Sequence, residues 1–67
     1  MAAVGMGVME LRVHLKGAFR VIYVTKFDEG IYVVHAFEKR ARKTRRLDLE
    51  LARKRFRNLK ILRQRRT

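Results

Sequence analysis

Apolar and polar positions alternate from Met9 to Leu15, with Leu11, Val13 and Leu15 on one side and Glu10, Arg12 and His14 on the other. A period of two over that length predicts a half-buried strand. Two further runs rich in Val, Ile, Tyr and Phe flank Asp28-Glu29-Gly30. A short polar loop ending in glycine suits a type I turn closed by a left-handed glycine bulge. The stretch from Ala18 to Arg40 therefore reads as an antiparallel hairpin. With those three residues as the loop, Phe27 faces Ile31, Thr25 faces Val33, Tyr23 faces His35 and Val21 faces Phe37, giving one largely apolar surface. The opposite surface carries Arg20, Ile22, Val24 and Lys26 beside Tyr32, Val34, Ala36 and Glu38.

A three-residue loop, Lys16-Gly17-Ala18, sets Leu15 against Phe19, Val13 against Val21 and Leu11 against Tyr23. A two-residue loop would set Val13 opposite Arg20. A one-residue slip exchanges the faces of a strand, so burial selects the first register. It places His14 opposite Arg20 and Arg12 beside Ile22, with Arg40 on the same face if the third strand stays extended. Beyond the strands, Leu49, Ala52, Phe56 and Leu59 recur at steps of three and four with Leu62 on the flank, which predicts an amphipathic helix over 45–62. Thr44 is its expected N-cap, and Asp48 and Glu50 lie near the positive end of its dipole. The predicted architecture is a single α+β domain: a flexible lead-in over 1–8, a three-stranded antiparallel meander over 9–39, and a basic C-terminal helix.

Composition changes this picture in two ways. At 67 residues without cysteine, the chain has neither disulfide nor thiolate metal site to reinforce a thin core, and small unstapled scaffolds rely on partners. The apolar surface running from Leu11 to Phe37 is too wide for one helix to cover, which predicts a homodimer through that face unless a segment of a partner protein takes the place. The formal charge is +12, yet residues 1–37 hold only four basic groups against three acidic ones. Nearly all the excess lies after Phe37, an asymmetry that points to a polyanion, either nucleic acid or an acidic membrane surface. No run reaches the roughly 18 apolar residues that a membrane span needs, and the opening MAAVGMGVM lacks a basic n-region, so a cytoplasmic protein is expected. Two histidines and no cysteine argue against a metal site, and neither a phosphate-cradling glycine loop nor a nucleophile elbow is present.

Four words, in their order and spacing, carry a family resemblance: Glu-Leu-Arg-Val at 10–13, Phe-Arg-Val-Ile-Tyr at 19–23, His-Ala-Phe-Glu-Lys at 35–39, and Arg-Lys-Thr at 42–44 leading into a basic helix. From about Gly5 to Lys60 the chain resembles the C-terminal half of the RelE/HigB-type toxins of bacterial toxin–antitoxin modules, specifically the phage-derived HigB-like branch. Members of that family usually begin with a strand and a helical hairpin that have no counterpart here, so the resemblance implies a toxin remnant or a shortened form. It further implies endonucleolytic cleavage of messenger RNA on the ribosome, without a cofactor, restrained by a cognate antitoxin of helix-turn-helix type.

Cleaving RNA without a metal requires a base for the ribose 2′-hydroxyl, cations around the phosphorane-like transition state and an acid for the leaving 5′-oxygen. Arg12, His14, Arg20 and Arg40 are the catalytic candidates. Arginine holds a phosphate through a planar fork, and imidazole changes charge near neutral pH. Pattern alone favours reading these four as the solvent face of an amphipathic strand. The resemblance favours Arg20 and Arg40 and, more weakly, Arg12. Lys39, Arg42, Lys43, Arg45, Arg46 and Arg53 are the expected RNA contacts. His35, flanked by apolar neighbours, reads as a packed, hydrogen-bonded core residue. A tyrosine that stacks on a base in some relatives has no counterpart, and the rival reading is a non-catalytic basic module for nucleic-acid binding or assembly.

Overall fold

The structure, a computed structural model, describes residues 1–40 and 42–65. Three antiparallel strands, β1 (Val8–Leu15), β2 (Gly17–Val24) and β3 (Tyr32–Glu38), lie in the order β1-β2-β3 and are followed by one helix, α1 (Arg46–Arg65). This is the α+β meander with a C-terminal helix that the pattern of residues predicts. The helix begins one residue later than expected: the Arg45 carbonyl accepts the first helical hydrogen bond, from Leu49 N–H at 3.1 Å, so Arg45 and not Thr44 is the N-cap.

Both hairpin registers differ from the expected ones. In the first, Leu15 pairs with Gly17, Leu11 with Val21 and Arg12 with Arg20, while His14 lies opposite Ala18. The reversal is tighter than a three-residue loop because Gly17 adopts φ +142°, a conformation open to glycine alone among common residues. The change amounts to two residues, so every side chain keeps its face. In the second hairpin, Arg20 pairs with Phe37 and Ile22 with His35, then the register shifts and Tyr23 pairs with Val33. Val34 is the extra residue of this bulge. Val33 stays on the face expected for it, but His35 and Phe37 move to the face of Arg20 and Ile22, and Ala36 and Glu38 move away from it.

Helix α1 covers the face of Ile22 and Val24. Val34 keeps the side expected for it and joins a patch with Val8, Ile22 and Val24, all at most 5% exposed, while the bulge brings His35 to the same side. Ala52 and Phe56 of α1 complete this core, with Met1, Val4, Phe27, Phe37 and Leu59 at its margin. The apolar stripe of α1 is narrow and fits this compact, β-branched patch. The wider apolar face stays open: Leu11, Leu15, Ile31 and Val33 are 51%, 81%, 68% and 61% exposed. Of the lead-in read from the sequence over 1–8, Val8 opens β1 and residues 1–7 wind back over the helix. The Met1 ammonium donates to the Val8 carbonyl and Arg53 Nε to the Ala3 carbonyl at 2.7 Å. Gly5 packs so tightly that a Cβ there would clash with the Phe56 ring.

One polar arrangement joins helix and sheet. His35 Nε2 lies 2.9 Å from Asp48 Oδ1, and Arg55 Nη1 lies 3.0 Å from His35 Nδ1. A guanidinium only donates, so Nδ1 is the acceptor and Nε2 carries the hydrogen that His35 gives to Asp48. His35 and Asp48 are both buried, and the expectation that His35 packs and hydrogen-bonds in the core holds, though on the opposite face from the one foreseen.

Candidate functional site

The half of the covered face that α1 leaves free ends in a basic hollow lined by Arg12, His14, Ala18, Phe19, Arg20 and Lys39. Register assembles it. Arg12 and Arg20 are cross-strand partners and His14 stands opposite Ala18. Lys39 N–H donates to the Ala18 carbonyl at 2.7 Å, extending the β2–β3 pairing one residue past the strand and bringing the Lys39 side chain to the same place.

Two arginines directly opposite each other repel, and Glu10 offsets this. It accepts from Arg20 Nη1 at 2.7 Å and from Arg12 Nε at 3.5 Å. Arg20 is well enclosed, its side chain 13% exposed, whereas that of Arg12 is 67% exposed. Burial pushes the Glu10 carboxyl up, but the hydrogen bond and charge of Arg20, then those of Arg12, outweigh it and hold the group below the usual carboxylate range. Lys39 is moved the other way for a cation. Desolvation first, then repulsion from Arg20 and Arg12, lower its pKa, with Glu10 opposing in part. The hollow therefore contains one arginine fixed by a carboxylate, one freer arginine, an exposed histidine, and an amine that holds its proton less tightly than an ordinary lysine.

Of the four catalytic candidates, three converge here: Arg12, His14 and Arg20. Arg40 does not. Its Nη2 bonds Glu38 Oε2 at 3.3 Å on a side chain 80% exposed, and it does not line the hollow. Lys39 takes the place that Arg40 was expected to fill, because the bulge changes the direction in which the end of β3 presents its side chains. The proposed RNA contacts divide as well. Arg42 and Lys43 are exposed in the connector. Arg45 is paired with Asp48 at 3.1 Å, Arg46 with Glu50 at 3.0 Å, and Arg53 is held by the Ala3 carbonyl. Sequence reasoning missed Glu10, the anion that organises both arginines. Its position two residues before Arg12 on the same strand face was the available signal.

Among the described residues no group of three or more His, Cys, Asp or Glu side chains is placed to hold a metal ion, and no helix is long and apolar enough to cross a membrane. Residues 1–57 match the model of a protein family described as Phage derived protein Gp49-like (DUF891). No curated protein and no solved structure matches the chain.

Proposed function

The chain belongs to the phage-derived Gp49-like family, and from that membership and the basic hollow we propose that it is the toxin of a toxin–antitoxin module, acting as an endoribonuclease on messenger RNA at the ribosome. The observation that supports this most is the convergence of Arg12, His14, Arg20 and Lys39 on one hollow. In such a cleavage the ribose 2′-oxygen attacks the adjacent phosphorus as the bond from phosphorus to the 5′-oxygen breaks. A base takes the 2′-hydroxyl proton and an acid supplies one to the leaving oxygen. Arg20, anchored to Glu10 through one nitrogen, keeps the rest of its fork for the phosphate, and Arg12 adds a second cation where charge develops. His14 is the base and Lys39, its proton loosened by burial and by the two arginines, is the acid. Arg42 and Lys43 extend the positive surface along the RNA path. A cognate antitoxin of helix-turn-helix type restrains the activity.

A second reading, a non-catalytic basic module, draws on the same Arg20. A guanidinium with a side chain only 13% exposed and bonded to Glu10 can equally be a structural counter-ion. Growth arrest and single-turnover cleavage, measured with RNA affinity, separate the two. For the enzyme, Arg20→Ala and Lys39→Ala reduce cleavage by about 100-fold or more while affinity falls far less. Arg40→Ala has a smaller effect than either. A loss of affinity that accounts for the whole loss of activity, or no cleavage by the unaltered chain on ribosomes, establishes the binding module instead.

A further inference from the structure

The open face of the sheet is the largest feature that neither the core nor the hollow explains. We propose that it is the self-association surface of this protein, and that two copies pack sheet against sheet across a two-fold axis near Val21. The first argument is area. The chain exposes 5408 Å², whereas a folded monomer of 8.0 kDa exposes about 4,500 Å² on the general scaling of surface with mass. The surplus, about 900 Å², is close to the roughly 800 Å² that each partner contributes to an interface of standard size.

The second argument is shape. Leu11, Val21, Tyr23, Ile31 and Val33 line a shallow apolar groove, and Leu15 and Phe19 project beside the β1–β2 turn. An isologous contact requires that whatever one copy inserts, the other receives. With strands of the two sheets aligned to within about 30° and running in opposite directions, the turn end of one sheet lies over the far end of the other. Leu15 and Phe19 of each copy then meet the groove of its partner.

The third argument is charge, and it selects a second copy over an acidic partner. Among the paired residues of the open face only Glu38 is charged, and Arg40 already neutralises it. The excess of +12 resides mostly on the opposite side, on α1 and the connector, so an acidic partner is drawn there and not to the open face. Two sheets about 10 Å apart with a helix on each outer side hold the basic helices about 30 Å from one another. That is several times the Debye length of about 8 Å at physiological salt, so mutual repulsion does not oppose the dimer. Both basic hollows face outward and remain accessible.

Sedimentation of the whole chain at micromolar concentration tests this. The expected species is folded and has twice the 8.0 kDa mass, and Val33→Lys, at a position 61% exposed in the single chain, shifts it toward one copy. Because that variant can also unfold, cysteine pairing gives an independent reading in a chain that has no native cysteine. Val21→Cys near the axis is expected to form an intermolecular disulfide under mild oxidation, and Lys54→Cys on the outer side of α1 is not. A folded wild-type species of one copy overturns the proposal. So does a ladder of species larger than two, or equal crosslinking at the two cysteine positions.

Discussion

Asp48→Ala tests whether the helix is fastened to the sheet through a buried carboxylate. Asp48 is 3% exposed and accepts from His35 Nε2 at 2.9 Å and from Arg45 Nε at 3.1 Å. Truncation leaves the His35 N–H in the core without an acceptor, which costs about 1–3 kcal/mol. Arg45, largely exposed, returns to water at little cost. Loss of a carboxylate in the first turn removes a further 0.3–1 kcal/mol or so of favourable interaction with the helix dipole. The total is about 1.3–4 kcal/mol, a large share of the roughly 5 kcal/mol available to a domain of this size. At about 4–8 °C per kcal/mol, Tm should fall by roughly 5–30 °C.

Thermal unfolding followed by circular dichroism at fixed protein concentration measures the shift, the concentration being held because association alters apparent stability. The double variant Asp48→Leu with His35→Phe removes both polar partners and should recover much of the loss, since an apolar pair leaves nothing unsatisfied. A fall in Tm of less than about 3 °C, or two losses that simply add, would refute the pairing as an energetic link. A pH dependence follows. The hydrogen bond from His35, then Arg45, outweigh burial and hold the folded Asp48 carboxyl below its ordinary 3.8. The unfolded chain therefore binds the proton first as pH falls. The contribution of Asp48 is complete above the unfolded value and is lost as pH drops through the lower folded one. Asp48→Ala should lack this component of the acid transition.

Two further outcomes are expected. Gly5→Ala should destabilise by about 1–3 kcal/mol through the clash of its Cβ with the Phe56 ring, whereas Ala2→Ser, on an exposed residue, should leave Tm unchanged. A Gly5→Ala protein as stable as wild type would show that the turn over Phe56 does not persist in solution. Arg20→Lys should reduce single-turnover cleavage far more than Lys26→Arg, because both conserve charge but only the first removes a fork from the hollow. Equal losses would mean that overall electrostatics governs the reaction.

Element order and type were legible because they rest on period. The two-residue alternation of β1 and the three-and-four spacing of α1 survive any local adjustment of register. Pairing was less legible, for a physical reason at each hairpin. Gly17 permits a tighter reversal than the loop residues suggest, and the choice between the two even registers leaves the faces unchanged, so burial cannot decide it. At Val34 a bulge changes the parity of β3, and a bulge has no sequence signature among Val33, Val34 and His35. From that one event follow the movement of His35 and Phe37 to the covered face and the replacement of Arg40 by Lys39 at the hollow. Asp48, which pattern reading assigns to the helix dipole alone, was recognisable as a core partner only once His35 faced α1.

The same sheet face carries both core and hollow, and this links stability to the proposed chemistry. Along β2 the side chains on that face pass from Val24 and Ile22, wholly enclosed, to Arg20, which is enclosed but charged. Buried beside apolar neighbours, an unpaired guanidinium would be unfavourable, and Glu10 removes that penalty while leaving the cation in place. The carboxylate that allows Arg20 to sit against the core also fixes its orientation, which is what a phosphate-binding fork requires. On the proposed chemistry Glu10 is thus a positioning residue, and its acceptance from Arg12 as well as Arg20 ties the two arginines to one carboxylate. Helix α1 reaches this arrangement indirectly: Asp48 holds His35, His35 stacks on Phe37 with ring centroids 5.2 Å apart, and Phe37 is the cross-strand partner of Arg20. Loosening the helix start should therefore disturb the hollow through β3.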